Sequence, residues 1–203
     1  KPRAVDARTA LEQTSHNLTT ININSLLASA RELKQQERWH AALEKYKAAL
    51  RLDSSLAGAQ EGQQLTTLRS QLHDRLEQIL AQPRRLYDAK VYRESIDFRN
   101  KLGALSNPGP VLKKQLFSLG KLLQKADTPV QVRMQSDNLT MVTLRKVGEL
   151  GLFHEKTLLV RPGKYVAVGI RQGYRDVRIE FSVDPDKPAL RIIVQAAEKI
   201  ALG

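Results

Sequence analysis

The chain contains no cysteine. That excludes a disulfide framework, thiolate metal centres and cysteine nucleophiles, and it leaves the redox compartment open. Aromatic residues are 5% of the chain, with one tryptophan. Surfaces that stack nucleic-acid bases interleave aromatics with basic side chains, and here the best aromatics fall at packing positions. No run of about 18 apolar residues occurs, so no segment has the length to cross a bilayer as a helix. A signal-peptide pattern is also missing, and the chain begins at Lys1 without a methionine. We expect an excised fragment, with any anchor or signal lying upstream.

What is present is a strongly basic chain of globular composition. Hydrophobic residues are 41% and charged residues 27% of 203 positions, enough for one or two domains with a core. The net charge is +12, from 33 basic and 21 acidic residues. Residues 1–126 hold 21 Lys/Arg and 12 Asp/Glu, and residues 127–203 hold 12 and 9. Such an excess favours an anionic partner: an acidic peptide, a membrane surface, a cell-wall polymer or nucleic acid. The basic clusters Arg84-Arg85, Lys113-Lys114 and Arg171/Arg175/Arg178 are spread over many segments, so nucleic acid is not the expected partner.

Catalytic and cofactor motifs are not found. His16, His40, His73 and His154 are spaced neither with one another nor with carboxylates as metal ligands are. Asp184 and Asp186 flank Pro185 in a turn, and a carboxylate pair that catalyses needs a cleft that separates its pKa values. Gly163-Lys164 lacks the glycine-rich lead and the following Ser/Thr of a phosphate loop. We expect no enzyme activity, no cofactor and no metal.

Residues 1–22 are polar and mixed, with Val5, Leu11, Leu18 and Ile21 hinting at helix and Asp6 as a candidate cap; we expect a stalk or leader. From Asn24 to Leu52 the apolar residues fall at Leu26, Ala30, Leu33, Trp39, Ala42, Tyr46 and Ala49. The spacing is helical, and the sizes alternate. Ala30 and Ala42 are small where two helices must touch, and Trp39 and Tyr46 are large where a gap must be filled. Two helices are predicted, over about 23–36 and 39–52, with a polar turn at Gln35–Arg38. Asp53-Ser54-Ser55 ends the second, and either serine is a candidate cap for the next helix.

A long amphipathic helix follows from Leu56 to Gln82, with Leu65, Leu68, Leu72, Leu76, Ile79 and Leu80 as its apolar stripe. Pro83 kinks or ends it. Another helix runs to Leu105. Ser106-Asn107-Pro108-Gly109-Pro110 is a breaker. Beyond it Leu112, Leu116, Leu119 and Leu123 line one face of a final helix, with Lys113, Lys114, Lys121 and Lys125 mostly away from it.

The size pattern of Asn24–Leu52 resembles one tetratricopeptide unit, a 34-residue helix-turn-helix that binds other proteins. It departs from that family in having no proline near position 54. Aligning Ser95 with Ala42, Tyr92 with Trp39 and Leu102 with Ala49 gives a second, degenerate unit with an elongated first helix, and Arg99 stands where an aromatic is expected. The resemblance implies a groove lined by the first helix of each unit. Its partner-binding residues are then Asn24, Leu27, Arg31 and Lys34 from the first unit, and Glu77, Leu80, Arg84 and Tyr87 from the second. Arg31, Lys34 and Arg84 make that groove basic, suited to an acidic segment of a protein partner. The final helix becomes the cap that such arrays need.

At Ala126-Asp127-Thr128-Pro129 the period changes from 3.6 to 2, which marks the expected domain boundary. Strands are predicted at 130–135, 141–146, 156–160, 165–171, 176–183 and 190–195, with turns at 136–138, 161–164, 172–174 and 184–186. A small antiparallel β-sandwich or open barrel follows. Ser136-Asp137-Asn138, Val147-Gly148, Gly151, Arg161-Pro162-Gly163-Lys164-Tyr165 and Gly173-Tyr174 together resemble a PEGA-type domain over about residues 128–196, although Asn138-Leu139-Thr140 replaces its naming tetrapeptide. That family is a small β-sandwich of bacterial envelope proteins. The resemblance implies that Tyr165 and Tyr174 pack as strand-edge aromatics.

The expectation is an α+β chain of a leader (1–22), a tetratricopeptide-like helical domain (23–126) and a PEGA-like β-sandwich (127–203). It reads as a non-catalytic scaffold or adaptor of the bacterial cell envelope, periplasmic and tethered to the inner membrane by a segment outside this chain. Two alternatives stay open: a peptidoglycan- or polysaccharide-binding module, and a regulatory segment of a larger signalling protein.

Overall fold

A computed structural model describes residues 2–105, 108–187 and 190–200. Its helices are α1 (Pro2–Gln35), α2 (Trp39–Leu52), α3 (Ala57–Ala81), α4 (Ala89–Gly103) and α5 (Pro110–Asp127), with a short 3-10 helix at Pro83–Tyr87. Its strands are β1 (Val130–Gln135), β2 (Met141–Leu144), β3 (Gly148–Gly151), β4 (Glu155–Val160), β5 (Gly163–Ile170), β6 (Val177–Val183) and β7 (Leu190–Ile193). The chain is therefore α+β, a helical region followed by two sheets. Ser106 and Asn107, the first residues of the expected breaker, lie outside the described residues.

The contacts divide the chain into two compact units, residues 1–78 with 107–115 and residues 79–106 with 116–203. The end of α3, α4 and most of α5 thus group with the strands, although the period changes at 126–129.

In the first unit, α1 corrects the expected leader. Nothing between Pro2 and Gln35 breaks a helix, so stalk and first helix are one element, and Asp6 lies inside it rather than at a start. Leu11, Leu18 and Ile21 on this helix are exposed. The size alternation is realised in three dimensions. Ala30, Ala42 and Ala49 are fully buried, Tyr46 nearly so, and Leu26 and Leu27 pack against them. Small side chains let the α1 and α2 backbones approach, and Tyr46 fills the space that remains. Trp39 packs at the helix start under the Arg69 guanidinium, 5.6 Å from its ring centroid.

The stripe expected on α3 is met at Leu76, which is fully buried, and is corrected in the first half of the helix. Leu65 and Leu68 are exposed, while Ala59, Gly62, Thr66 and Ser70 are buried. The reason is Tyr46: a Cβ at Gly62 would lie 2.3 Å from its ring. The ring needs a face of small residues, and leucines cannot provide one. Thr66 and Ser70 satisfy their buried hydroxyls on backbone oxygens of Gly62 and Thr67, at 2.7 and 2.9 Å. Neither Ser54 nor Ser55 caps α3; Asp53 accepts the Ser55 amide and hydroxyl instead, at 2.9 and 2.6 Å.

In the second unit, Asp88 caps α4 by accepting the Lys90 and Val91 amides at 2.9 and 3.1 Å. Two sheets face each other, in strand orders β4-β1-β7 and β3-β2-β5-β6. Val132 and Met134 from one and Val142, Leu144 and Ala167 from the other meet in one core, all fully buried. Burial of each such aliphatic side chain contributes about 1.5–3 kcal/mol.

The sandwich is not wholly antiparallel, because β7 runs parallel to β1. β3 was not predicted: four residues, Gly-Glu-Leu-Gly, carry no period, and both glycines have positive φ. Tyr165 corrects another expectation. It stands on β5, inside its sheet rather than at an edge, and stacks on Phe181 with ring centroids 5.8 Å apart. Its hydroxyl donates to the Arg161 carbonyl at 2.8 Å.

Candidate anion-binding site

Within the second unit, Pro83 starts a 3-10 turn that carries Arg84, Arg85 and Tyr87 and delivers Asp88 as the α4 cap. The carbonyl of Tyr87 lies 3.4 Å from where a Cβ of Gly163 would be, an ordinary contact, and it is the φ of 155° at the start of β5 that favours glycine there. A pocket of about 530 Å³ opens at this corner. Arg84, Arg85, Tyr87 and Asp88 form one side. Lys146, Gly163 and Lys164 form another. Ser182, Val183, Asp184 and Lys187, where β6 ends, complete it.

The charges of this pocket are unbalanced. Five cationic side chains, Arg84, Arg85, Lys146, Lys164 and Lys187, face two carboxylates. Both carboxylates are committed. Asp88 holds two α4 amides. Asp184, almost fully buried, accepts the Asp186 amide at 3.1 Å and pairs with Arg84 at 3.2 Å. The backbone amides of Val91 and Lys90 hold the Asp88 carboxyl below its ordinary range, so it is ionised at neutral pH. Burial, reinforced by the charge of Asp184, pushes the Tyr87 phenol up; at neutral pH it is a neutral group that can donate a hydrogen bond.

The cations differ in how they are held. Lys146, left-handed at φ 73°, turns its ammonium onto the Lys164 carbonyl at 3.0 Å. Arg84 keeps most of its side chain in solvent while Asp184 anchors it. Beside the pocket Lys125 grips both oxygens of Asp186 at 2.5 and 2.6 Å, and this hydrogen bonding raises the ammonium pKa above its ordinary value. Arg85 and Lys187 make no side-chain hydrogen bond or ion pair among the described residues. A partly enclosed site with unspent cations and a neutral phenol has the donors that a carboxylate or another oxyanion requires.

Of the residues expected to bind a partner, the structure brings Arg84 and Tyr87 together here. They stand on the 3-10 turn and not on a continuation of α3, because Pro83 ended that helix. Glu77 and Leu80 remain on α3, and Glu77 accepts the Gln115 amide at 2.5 Å. Asn24, Leu27, Arg31 and Lys34 lie on α1 in the first unit. Asn24 and Arg31 are exposed, whereas Leu27 is drawn into the packing around Ala30. Lys146, Lys164 and Lys187 were missed. Each sits at a turn or strand end, where sequence shows only a solvated lysine.

Among the described residues no group of three or more His, Asp or Glu could hold a metal ion. Outside the pocket, His40 Nε2 lies 2.7 Å from Asp74 Oδ1 on the surface of the first unit. No helix among the described residues is long and apolar enough to cross a membrane. Compared with models of known protein families and with curated protein sequences, the chain matches none.

Proposed function

We propose that this protein is a non-catalytic adaptor of the bacterial cell envelope that holds an acidic segment of a protein partner. The observation that supports it is the pocket at Arg84–Asp88: five cations from four segments, with both neighbouring carboxylates already engaged. Charge-assisted hydrogen bonds from Arg85, Lys164 and Lys187 hold the partner's carboxylates. The face of α1 that carries the exposed Asn24 and Arg31 and the half-buried Lys34 is a second contact in this reading. The periplasmic setting follows from the resemblance of residues 128–196 to envelope β-sandwiches, and the binding role agrees with the tetratricopeptide-like size pattern of Asn24–Leu52.

Crosslinked pull-down from envelope extracts tests the proposal. Wild type is compared with Arg85→Glu/Lys187→Glu and with Arg31→Glu/Lys34→Glu. A protein recovered by wild type and lost in the pocket variant is the expected result. Equal recovery by wild type and pocket variant overturns the pocket. Loss in the α1 variant alone moves the contact to the first unit. Co-sedimentation with cell-wall sacculi at low and high salt reports the alternative, an anionic polymer as the ligand.

A further inference from the structure

We propose that the free edge of β6 accepts, as an added strand, an extended partner segment in which apolar and acidic residues alternate. This rests on the reading of the basic pocket, which lies at the Ser182–Asp184 end of that edge.

The backbone supplies the first argument. The Arg145 amide donates to the Val166 carbonyl at 2.9 Å, so the even-numbered backbone groups of β5 turn toward β2. The odd-numbered groups then turn toward β6. The register pairs Tyr165 with Phe181 and Ala167 with Ile179, so Phe181 and Ile179 exchange hydrogen bonds with β5. The N–H and C=O groups of Arg178, Glu180 and Ser182 therefore point away from the sheet. Among the described residues no other backbone group bonds to them.

The side chains supply the second. Along β5 the core-facing Tyr165, Ala167 and Gly169 are buried. Along β6 the equivalent Val177, Ile179 and Phe181 are only half-buried. An added strand with apolar residues at every second position covers them. Its alternate residues face outward, and toward the end of β6 they meet Lys164, Arg85 and Lys187.

Of the other edges, β3 and β4 are blunted and β7 has only four residues. β3 is four residues long, its register against β2 shifts, and a glycine with positive φ stands at each end. β4 carries Lys156 opposite the buried Met134, an inward-pointing charge of the kind that deters pairing. β6 has seven residues, no proline and an unbroken register. A second copy of this chain fits less well. Antiparallel pairing centred on Glu180 sets the copy's Arg178 opposite Ser182, beside the cations of the pocket, which is unfavourable.

The test uses a peptide of about nine residues alternating valine and glutamate, long enough to cover β6. Amide hydrogen exchange by NMR on the full chain is the readout. The expected result is slowed exchange at Arg178, Glu180 and Ser182, with little change at the residues between them. N-methylation of alternate peptide amides should weaken binding about tenfold or more, since several backbone hydrogen bonds are lost. Glu180→Pro, which removes an outward N–H at an edge, should do the same, while Glu180→Gln, which keeps that N–H and removes a carboxylate facing the peptide's glutamates, binds at least as tightly as wild type; both keep the wild-type Tm within a few degrees. Binding that ignores N-methylation but is lost in Arg85→Glu/Lys187→Glu overturns strand addition and leaves the pocket reading standing. Slowed exchange that appears without peptide as protein concentration rises overturns it in favour of a second copy. No binding of any peptide overturns both.

Discussion

The Glu37 carboxylate accepts the Val111 amide at 2.6 Å, across 74 residues of chain. Its other oxygen lies 3.3 Å from the Leu112 amide. Glu37 thus serves as the N-terminal cap of α5 from a distant turn, and it is buried to do so. The helix begins at Pro110, and the residue before it, Gly109, has no side chain with which to cap it. Gly109 makes room, since a Cβ there would lie 2.4 Å from the Glu37 carboxyl carbon.

Glu37→Ala is therefore expected to destabilise the first unit by about 1–2 kcal/mol, the usual value of a lost cap. Urea unfolding measures it. Glu37→Gln, which keeps an acceptor oxygen, should lose less. A loss in Glu37→Ala no greater than that of an exposed-site control such as Glu32→Ala refutes the capping role.

Gly62→Ala should destabilise by about 1–3 kcal/mol through overpacking. The clash is with the Tyr46 ring. In a Tyr46→Ala background the same change should cost much less, since the obstacle is gone. Strict additivity of the two substitutions by thermal or urea unfolding sinks this account.

Acid should weaken the α4 cap. The folded Asp88 carboxyl sits below its unfolded value, held there by the Val91 and Lys90 amides. A depressed folded value means that its contribution is complete above the unfolded value of about 3.9 and is lost as pH falls through the folded one. Wild type should lose urea resistance below about pH 4 more steeply than Asp88→Asn. Parallel curves for the two proteins contradict the assignment.

Salt should distinguish a pocket from diffuse basic charge. If Arg85, Lys164 and Lys187 hold carboxylates in a partly enclosed site, affinity for an acidic peptide should fall with ionic strength and fall further in Arg85→Glu/Lys187→Glu. Arg133→Glu/Arg175→Glu, which removes the same charge at two arginines paired with Glu155 and Glu198 outside the pocket, should bind as wild type. Equal losses in both variants identify net charge, rather than this site, as the cause.

The sequence by itself determined what local period and size can carry. Ala30, Ala42, Tyr46 and Ala49 were assigned to one helix contact because helical spacing puts them on shared faces, and α2 begins at Trp39 as predicted. β1 and β6 were legible from alternation. Helix ends were legible where proline or a polar turn breaks the period, as at Pro83. Tertiary structure decided the rest, because it depends on groups that meet across the chain. Tyr46 selects the small-residue face of α3 over Leu65 and Leu68. The parallel pairing of β7 with β1 follows from closure of the sandwich, which no strand pattern encodes. Arg84 and Tyr87 could be proposed as binding residues from sequence, but their neighbours Lys146, Lys164 and Lys187 could not. A lysine at a turn looks solvated until folding fixes which carbonyls, carboxylates and cations surround it.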